Sequence, residues 1–549
     1  MYRRAILATL GAISLGGCTA RIDGLLDSFD AIEESLMFED ATEGSGFTYQ
    51  YAETGRDLEK ISNAGVYVSD VNNDGWADIL ALGGTEPILF KNEVGEFRKS
   101  DAVPDLDVNP YAALFVDVNN NGWEDLLLMP MAGTAVFLEN REGTFEVRDV
   151  GLEVTLDAPI SAAAADATGN GYPDIFIIEN GDWDRSLPSG YREFIGENRD
   201  NGGANRLFEN TGDEFVEITD EAGIEGERWS LATSFLDVTG NGHPDIHVAN
   251  DFSRDVLYIN EGDRTFRREE LGEATDRNGM SSEVADFTGD GRPDIFVTNI
   301  YYPESIGTKL SGTLEARTEG NNLLINDGEG EFQDAAEEYG IRAGGWGWAA
   351  VAADFDNDGL IDLIHGTSWD DLIGYGLSAD EREEIVSTYP FYRYPAVWRG
   401  TDTGFERIEP ADIGIPELDS RGIACLDREN NGQLDLVIAD ASGQYRLFEN
   451  IGATGKAIQL VLRSDGDGTA LGATVEVTGG ETRGWQVADS KTDYVSQRSR
   501  MLHFGVGENE TVDIDITWPD GSEDRYENVE TAQRFVVTRD TIIESIPLD

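Results

Sequence analysis

The sequence predicts an all-β chain, a seven-bladed β-propeller followed by a small β-rich C-terminal domain. Three observations carry that prediction. A nine-residue phrase (Asp, any residue, an oxygen-bearing residue, any residue, Asp or Asn, Gly, two residues, Asp) begins at Asp70, Asp117, Asp166, Asp237, Asp286, Asp354 and Asp427. Short apolar runs flank each copy, as in Ile79-Leu80, Ile175-Phe176-Ile177-Ile178 and Ile295-Phe296-Val297, and read as buried strands. A second phrase, Leu89-Phe90-Lys91-Asn92 with Gly95 and Phe97 behind it, follows each strand.

The nine-residue phrase is the donor set of a hard-cation cage. Positions one, three, five and nine offer side-chain oxygens and position seven a backbone carbonyl, and calcium takes six to eight such ligands at about 2.3–2.6 Å. The first copy supplies Asp70, Asn72, Asp74, the carbonyl of Trp76, and Asp78. The others supply Asp117, Asn119, Asn121, Asp125; Asp166, Thr168, Asn170, Asp174; Asp237, Thr239, Asn241, Asp245; and Asp286, Thr288, Asp290, Asp294. The last two supply Asp354, Asp356, Asp358, Asp362 and Asp427, Glu429, Asn431, Asp435. An EF-hand would need Glu at position twelve and helices on both sides. Position twelve here is Ala81, Leu128, Ile177, Val248, Val297, His365 or Ile438, so the expected ion bridges a strand-to-strand turn. Up to seven Ca²⁺ are expected, with affinity following carboxylate count; the competing reading of one copy alone is an Asx-rich turn that needs no metal.

Successive copies start about 48 residues apart, or about 70 where an insertion intervenes, which is the length of a four-stranded propeller blade. The second phrase recurs at Phe137-Leu138-Glu139-Asn140, Leu207-Phe208-Glu209-Asn210, Leu257-Tyr258-Ile259-Asn260, Leu324-Ile325-Asn326 and Leu447-Phe448-Glu449-Asn450, and in degenerate form at Val397-Trp398-Arg399-Gly400. Each reads as a third strand entering a Gly-containing hairpin to an outer strand. Closing seven such units into a ring removes exposed sheet edges. The segment Gly46–Tyr51 is expected to give the last unit its outer strand, with an open solenoid as the alternative.

These units resemble FG-GAP/VCBS repeats, the blades of integrin α-subunit propellers and of many secreted microbial proteins. Asn278-Gly279-Met280 before Asp286 and Gly345-Trp346-Gly347 before Asp354 resemble the cartilage acidic protein family. Leu471–Val477, Tyr494-Val495-Ser496-Gln497, His503-Phe504-Gly505-Val506-Gly507 and Trp518-Pro519-Asp520-Gly521 together resemble the ASPIC/UnbV domain, with Val506 where the usual phrase has Leu. The resemblance implies a propeller that binds calcium and partners. The expected organisation is a signal over 1–18, an acidic tether over 19–45, the propeller over 46–453 and the ASPIC/UnbV-like β domain over 455–549.

The formal net charge of −67 is too large for calcium to neutralise, and only six of the 40 basic residues are Lys. Such a surface suits molar salt, where the Debye length falls to about 3 Å and self-repulsion is screened. A halophilic, archaeal-type source is expected, and nucleic acid is not expected as a partner. Hydrophobic residues make up 40% of the chain, enough for real cores. Cys425 reads as a buried small hydrophobe and no disulfide is expected.

Arg3-Arg4 and the apolar run Ala5–Leu15 form an export signal too short to span a bilayer. Leu15-Gly16-Gly17-Cys18 resembles a lipobox with Cys18 as the lipidated residue, and the twin Arg resembles a Tat signal. The expected location is the extracellular face of the cell membrane, with membrane contact only through the lipid on Cys18.

Insertions near Gly181–Ala204, Tyr301–Gly320 and Trp369–Ala396 are expected on the rim opposite the calcium turns, where binding loops are commonly built. The third holds a capping box, Ser378-Ala379-Asp380-Glu381, and the aromatics Tyr389, Phe391, Tyr392, Tyr394 and Trp398. No nucleophile elbow or phosphate loop is present, and His243 and His247 sit on a turn and strand rather than a zinc-binding helix. No catalytic residue is assigned. Arg185, Tyr191 and Arg192 are the candidates if the chain were a polysaccharide lyase or hydrolase. The leading expectation is adhesion, or binding of an extracellular protein or glycan; a purely structural envelope role is the third.

Overall fold

The computed structural model describes residues 35–49, 65–83, 86–181, 202–302, 318–328, 330–368, 379–441, 444–464, 468–480 and 482–548. Seven four-stranded antiparallel blades occur among them. From channel to rim, blade one runs Gly65–Ser69, Asp78–Leu82, Ile88–Glu93 and Glu96–Ser100. Blade two runs Pro110–Val116, Asp125–Pro130, Val136–Asn140 and Phe145–Arg148. Blade three runs Pro159–Ala165, Asp174–Glu179, Arg206–Asn210 and Phe215–Glu217, and blade four Glu227–Leu236, Asp245–Asp251, Val256–Asn260 and Phe266–Glu270. Blade five runs Glu283–Ala285, Asp294–Val297, Asn322–Asn326 and Phe332–Asp334, and blade six Gly347–Ala353, Asp362–Thr367, Ala396–Thr401 and Gly404–Ile408. Blade seven runs Ser420–Leu426, Asp435–Asp440 and Gln444–Asn450, with Phe38–Asp40 outermost.

The nine-residue turns join each first strand to its second, so strands rather than helices flank them. The ring closes, since the inner strands of blades one and seven touch as those of other neighbours do. An open solenoid is thereby ruled out. The closing strand differs from the expected one. Phe38–Asp40 pairs with Asn450–Phe448, so the ring begins inside the stretch read as tether. Gly46–Tyr51 takes another part over the residues described: Phe47 and Tyr49 wedge between blades one and seven, each edge-on to Tyr445.

The Asn that ends each third strand holds the ring together. Its side-chain amide donates to the carbonyl of position two in the preceding blade's turn. The pairs are Asn140 to Val71, Asn210 to Val118, Asn260 to Ala167, Asn326 to Val238, Asn450 to Phe355 and, across the closure, Asn92 to Arg428, at 2.7–3.1 Å. The degenerate phrase leaves one joint without this clasp, because Gly400 stands where blade six needs Asn. A Cβ there would lie 2.5 Å from the carbonyl oxygen of Ile361.

The C-terminal domain is a β-sandwich. Leu502–Gly507, Lys456–Arg463, Gln533–Thr538 and Thr541–Pro547 form one sheet; Thr482–Val487, Thr474–Gly479, Thr511–Thr517 and Glu523–Glu530 form the other. Alternate apolar residues of both, including Leu460, Val475, Phe504, Ile514 and Trp518, meet in a core of their own.

Asn260→Ala removes donors to Ala167 and Pro244 and an acceptor for Gly262, all of them buried or half-buried. Chemical denaturation in molar salt should show a loss of about 2–4 kcal/mol. Gly400→Asn should also destabilise, because its Cβ meets backbone; a gain in stability would show that joint to be an ordinary unfilled clasp.

Candidate functional site: the ion turns and the plugged channel

Every copy of the nine-residue phrase folds into the same lattice of side-chain-to-backbone bonds. The two oxygens of the Asp at position one accept the amides of positions five and six at 2.7–3.1 Å. Those of the Asp at position nine accept an amide at the start of the turn and the amide of the clasp residue, at 2.7–3.3 Å. Position five accepts the amide of position seven. The fixed Asp at one and nine therefore has a cause apart from metal. Both oxygens must accept, and an Asn would set one N–H against another.

Position four, read from the sequence as any residue, is not free either. It has positive φ in every turn and is Asn73, Asn120, Asn357, Asn430 or else Gly169, Gly240, Gly289. The four Asn donate to the carbonyl of Gly122, Gly171, Gly432 and Gly75 in the next blade.

Burial, with neighbouring carboxylates adding to it, pushes the position-nine acids upward: Asp78 and Asp125 to about 8, and Asp174, Asp245 and Asp294 to about 7. In blade six Asp354 is driven well above the carboxylate range by burial and by the charges of Asp362, Asp358 and Asp356, and Asp362 by burial and by those of Asp356 and Asp358.

The blade-six turn fits a hard cation best. Oxygens of Asp354, Asp356 and Asp362 lie within 4.8 Å of one another, the one such trio among the described residues. Asp356 Oδ1 is buried and has no hydrogen-bond partner. Arg399, from the degenerate phrase, donates to Asp356 Oδ2 and Asp358 Oδ2 at 2.7 Å each and offsets part of the charge. Nothing in the nine-residue phrase points to Arg399; its place where blade one has Lys91, beside the most acidic turn, was the available signal.

The C-terminal sandwich sits on this turn face. Thr469 N donates to Asp117 Oδ2, Gln459 Nε2 to Asp427 Oδ2, Arg534 Nη1 to the carbonyl of Gly75 and Arg483 Nη1 to that of Gly289. His503, held neutral by burial that lowers its pKa to about 3, places Nε2 2.8 Å from Asn357 Oδ1.

From the sandwich a finger, residues 489–500, enters the channel. Inner strands of a propeller leave an unpaired edge facing that channel, and their amides and carbonyls need partners. The finger supplies them. Ser490-Lys491 pairs with Ala164-Ala163 of blade three, and Ser496-Gln497 runs parallel to Val66-Tyr67 of blade one. Gln497 exchanges two bonds with Phe115 of blade two. The carboxylate of Asp493 accepts Ser282 N of blade five at 2.8 Å and Ala350 N of blade six at 2.7 Å. Lys491 Nζ lies 3.0 Å from Glu283 Oε1, with both side chains buried. At the tip Tyr494 and Val495 join a cluster with Tyr111, Ile160, Leu231, Met280, Trp348 and Ile423, from the inner strands of blades two to seven and the turn before blade five. Sequence reading found Tyr494–Gln497 as a motif but not its depth.

The FG-GAP-like repeat family matches residues 70–128, 117–177, 237–297 and 313–365, and the ASPIC and UnbV family matches residues 464–543. The chain carries FG-GAP repeats and a C-terminal ASPIC/UnbV domain. It is similar to cartilage acidic protein 1 of Homo sapiens, 23% identical over 84% of this chain and 69% of that one, and of Mus musculus, 24% identical over 84% and 71%. Among solved structures it is similar to an Agrocybe aegerita lectin recognising non-reducing terminal N-acetylglucosamine (TM-score 0.41, 18% identity, 71% of this chain and 94% of that one). Sqt1 of Saccharomyces cerevisiae is a second (TM-score 0.41, 8% identity, 71% and 97%). The ASPIC/UnbV match thus includes the finger, and the His503–Gly507 phrase abuts the blade-six turn.

The remaining residues singled out from sequence fall as follows. Cys425 is buried and free, its thiol pushed up to about 12 by burial. Tyr392 and Trp398 pack into the blades, and Ala379–Thr388 is a helix. His247 is buried, with Nδ1 2.8 Å from Ser282 Oγ. Arg185, Tyr191, Arg192, Ser378, Cys18 and most of the three insertions lie outside the described residues.

Without a divalent ion, Asp78, Asp125 and Asp174 hold protons more tightly folded than unfolded. Stability should then fall as pH rises from about 4 to about 8. Denaturation midpoints of chelator-treated protein in molar NaCl should show that slope, and added calcium should flatten it. A midpoint that rises with pH in chelator would contradict it.

Proposed function

We propose that this protein is an exported, calcium-stabilised binding module that engages an extracellular protein or glycan through the rim opposite its C-terminal domain. The observation that carries the reading is geometric. The sandwich sits on the turn face and its finger fills the channel, so a ligand meets the far rim, where the second strands of blades three, five and six end and their insertions begin. Asp354, Asp356 and Asp362 would hold one Ca²⁺, and the other six turns would hold ions in proportion to their carboxylates. When bound, the ion supplies positive charge to crowded carboxylates and so stabilises the ring. The reading is of binding rather than catalysis. Cys18 would carry a lipid, and the acidity fits a salt-rich habitat. Among the described residues no helix is long and apolar enough to cross a membrane.

Native mass spectrometry from volatile salt, with Ca²⁺ and after chelation, should count at least one tightly held ion. Tight binding stabilises the fold by about 3 kcal/mol at a hundredfold excess over Kd. Retention of defined envelope glycans or proteins by the immobilised full chain, with the glycans recovered intact, supports the binding reading. Newly cut glycan ends would replace it with that of a carbohydrate-active enzyme. Cys18→Ser should move the protein from the detergent phase to the aqueous phase; if partition does not change, no lipid is attached there.

A further inference from the structure

The strand Leu502–Gly507 lies so close to the blade-six turn that position 505 has room for no side chain. A Cβ on Gly505 would run into Asp354 Oδ2 and into Cα of Asn357. Asn357, in the left-handed region at φ 59°, makes further contacts across the same joint. Its side chain accepts from His503, its carbonyl accepts Gly507 N at 2.9 Å, and its Nδ2 reaches the carbonyl of Gly455 at 3.3 Å. Gly455 N in turn donates to the carbonyl of Asp356. Position four of this turn is therefore the seat of the C-terminal sandwich, and positions one, three and nine are the carboxylates that crowd each other.

Without a cation nothing joins the facing oxygens of Asp354, Asp356 and Asp362, and the turn is free to shift its backbone. A shift at Asn357 disturbs at once its bonds to His503, Gly507 and Gly455, which seat the sandwich. The strand bearing His503 and Gly505 begins five residues after Gln497, so whatever unseats it draws on the finger directly. Two other position-one carboxylates, Asp117 and Asp427, accept bonds from the sandwich, while Asp354 lies against it at Gly505.

We propose that a calcium ion held by Asp354, Asp356 and Asp362 acts as a latch: with it bound, the ASPIC/UnbV domain stays seated and its finger stays in the channel; without it, the domain lifts and the channel opens. This rests on the calcium reading above and adds a consequence to it. Opening exposes the amides of Ser282, Ala350, Val66 and Phe115, now bonded to Asp493, Val495 and Gln497, one donor from each of four blades around the channel.

The test is hydrogen–deuterium exchange of the full chain in molar salt, with Ca²⁺ or with EGTA, reading a finger peptide (490–498) against a reference within blade three (174–179). Chelation should speed finger exchange by about tenfold or more while the reference is unchanged, the mark of local rather than global opening. Asp356→Asn should give fast finger exchange even with Ca²⁺, and Gly505→Ala should do so with or without it. Native mass spectrometry of the same samples separates the two ideas. An ion that binds without altering finger exchange overturns the latch and leaves the calcium reading standing. No bound ion overturns both, and parallel loss of protection in finger and reference shows global unfolding and overturns the latch.

Discussion

The ring depends on one repeated bond pair. The Asp at position nine of each turn accepts an amide from the start of its own turn and the amide of the clasp residue that ends the third strand. In six blades that residue is Asn, which reaches back to the preceding blade. A buried carboxylate without donors would be costly; here the donors are backbone groups that themselves need acceptors. One side chain thus fixes the turn, the strand register and, through the Asn, the next blade. Because this pairing demands Asp whether or not a cation is present, the metal reading rests on narrower ground than the sevenfold phrase suggests. That ground is the close trio in blade six and the buried oxygen of Asp356 without a partner.

Much of this was legible in the chain. The turns, the apolar strands and the Leu-Phe-x-Asn phrase gave the blades, since each is a short pattern that recurs once per blade. Phe38–Asp40 was not legible. A three-residue strand in an acidic stretch has no alternation to read, and its identity comes from pairing with Phe448–Asn450. Position four was missed because Asn and Gly share a backbone conformation rather than a side-chain chemistry. Arg399 was hidden for the opposite reason, since the degenerate phrase drew attention to what it lacks.

The finger marks the clearest limit. Asp489–Arg500 is largely polar, yet Thr492, Asp493 and Val495 are buried. The burial is set by the channel and not by the segment: seven inner edges present donors and acceptors, and a polar strand satisfies them better than an apolar one. The apolar tip, Tyr494 and Val495, is the part that local hydrophobicity explains, and it lands where the inner strands are apolar. The same segment completes the ring's hydrogen bonding and fills the channel, so it sets which face of the ring stays uncovered.

The position of the closing strand has a temporal consequence. Ribosomal synthesis delivers Phe38–Asp40 long before its partner Phe448–Asn450, and the channel segment later still. Blades can form one after another on the nascent polypeptide, but the earliest must wait, with an uncapped margin and an empty bore, until nearly the whole chain is available. Maturation is therefore a late, concerted event, and any translocation machinery that takes the chain before that moment handles an unfinished toroid.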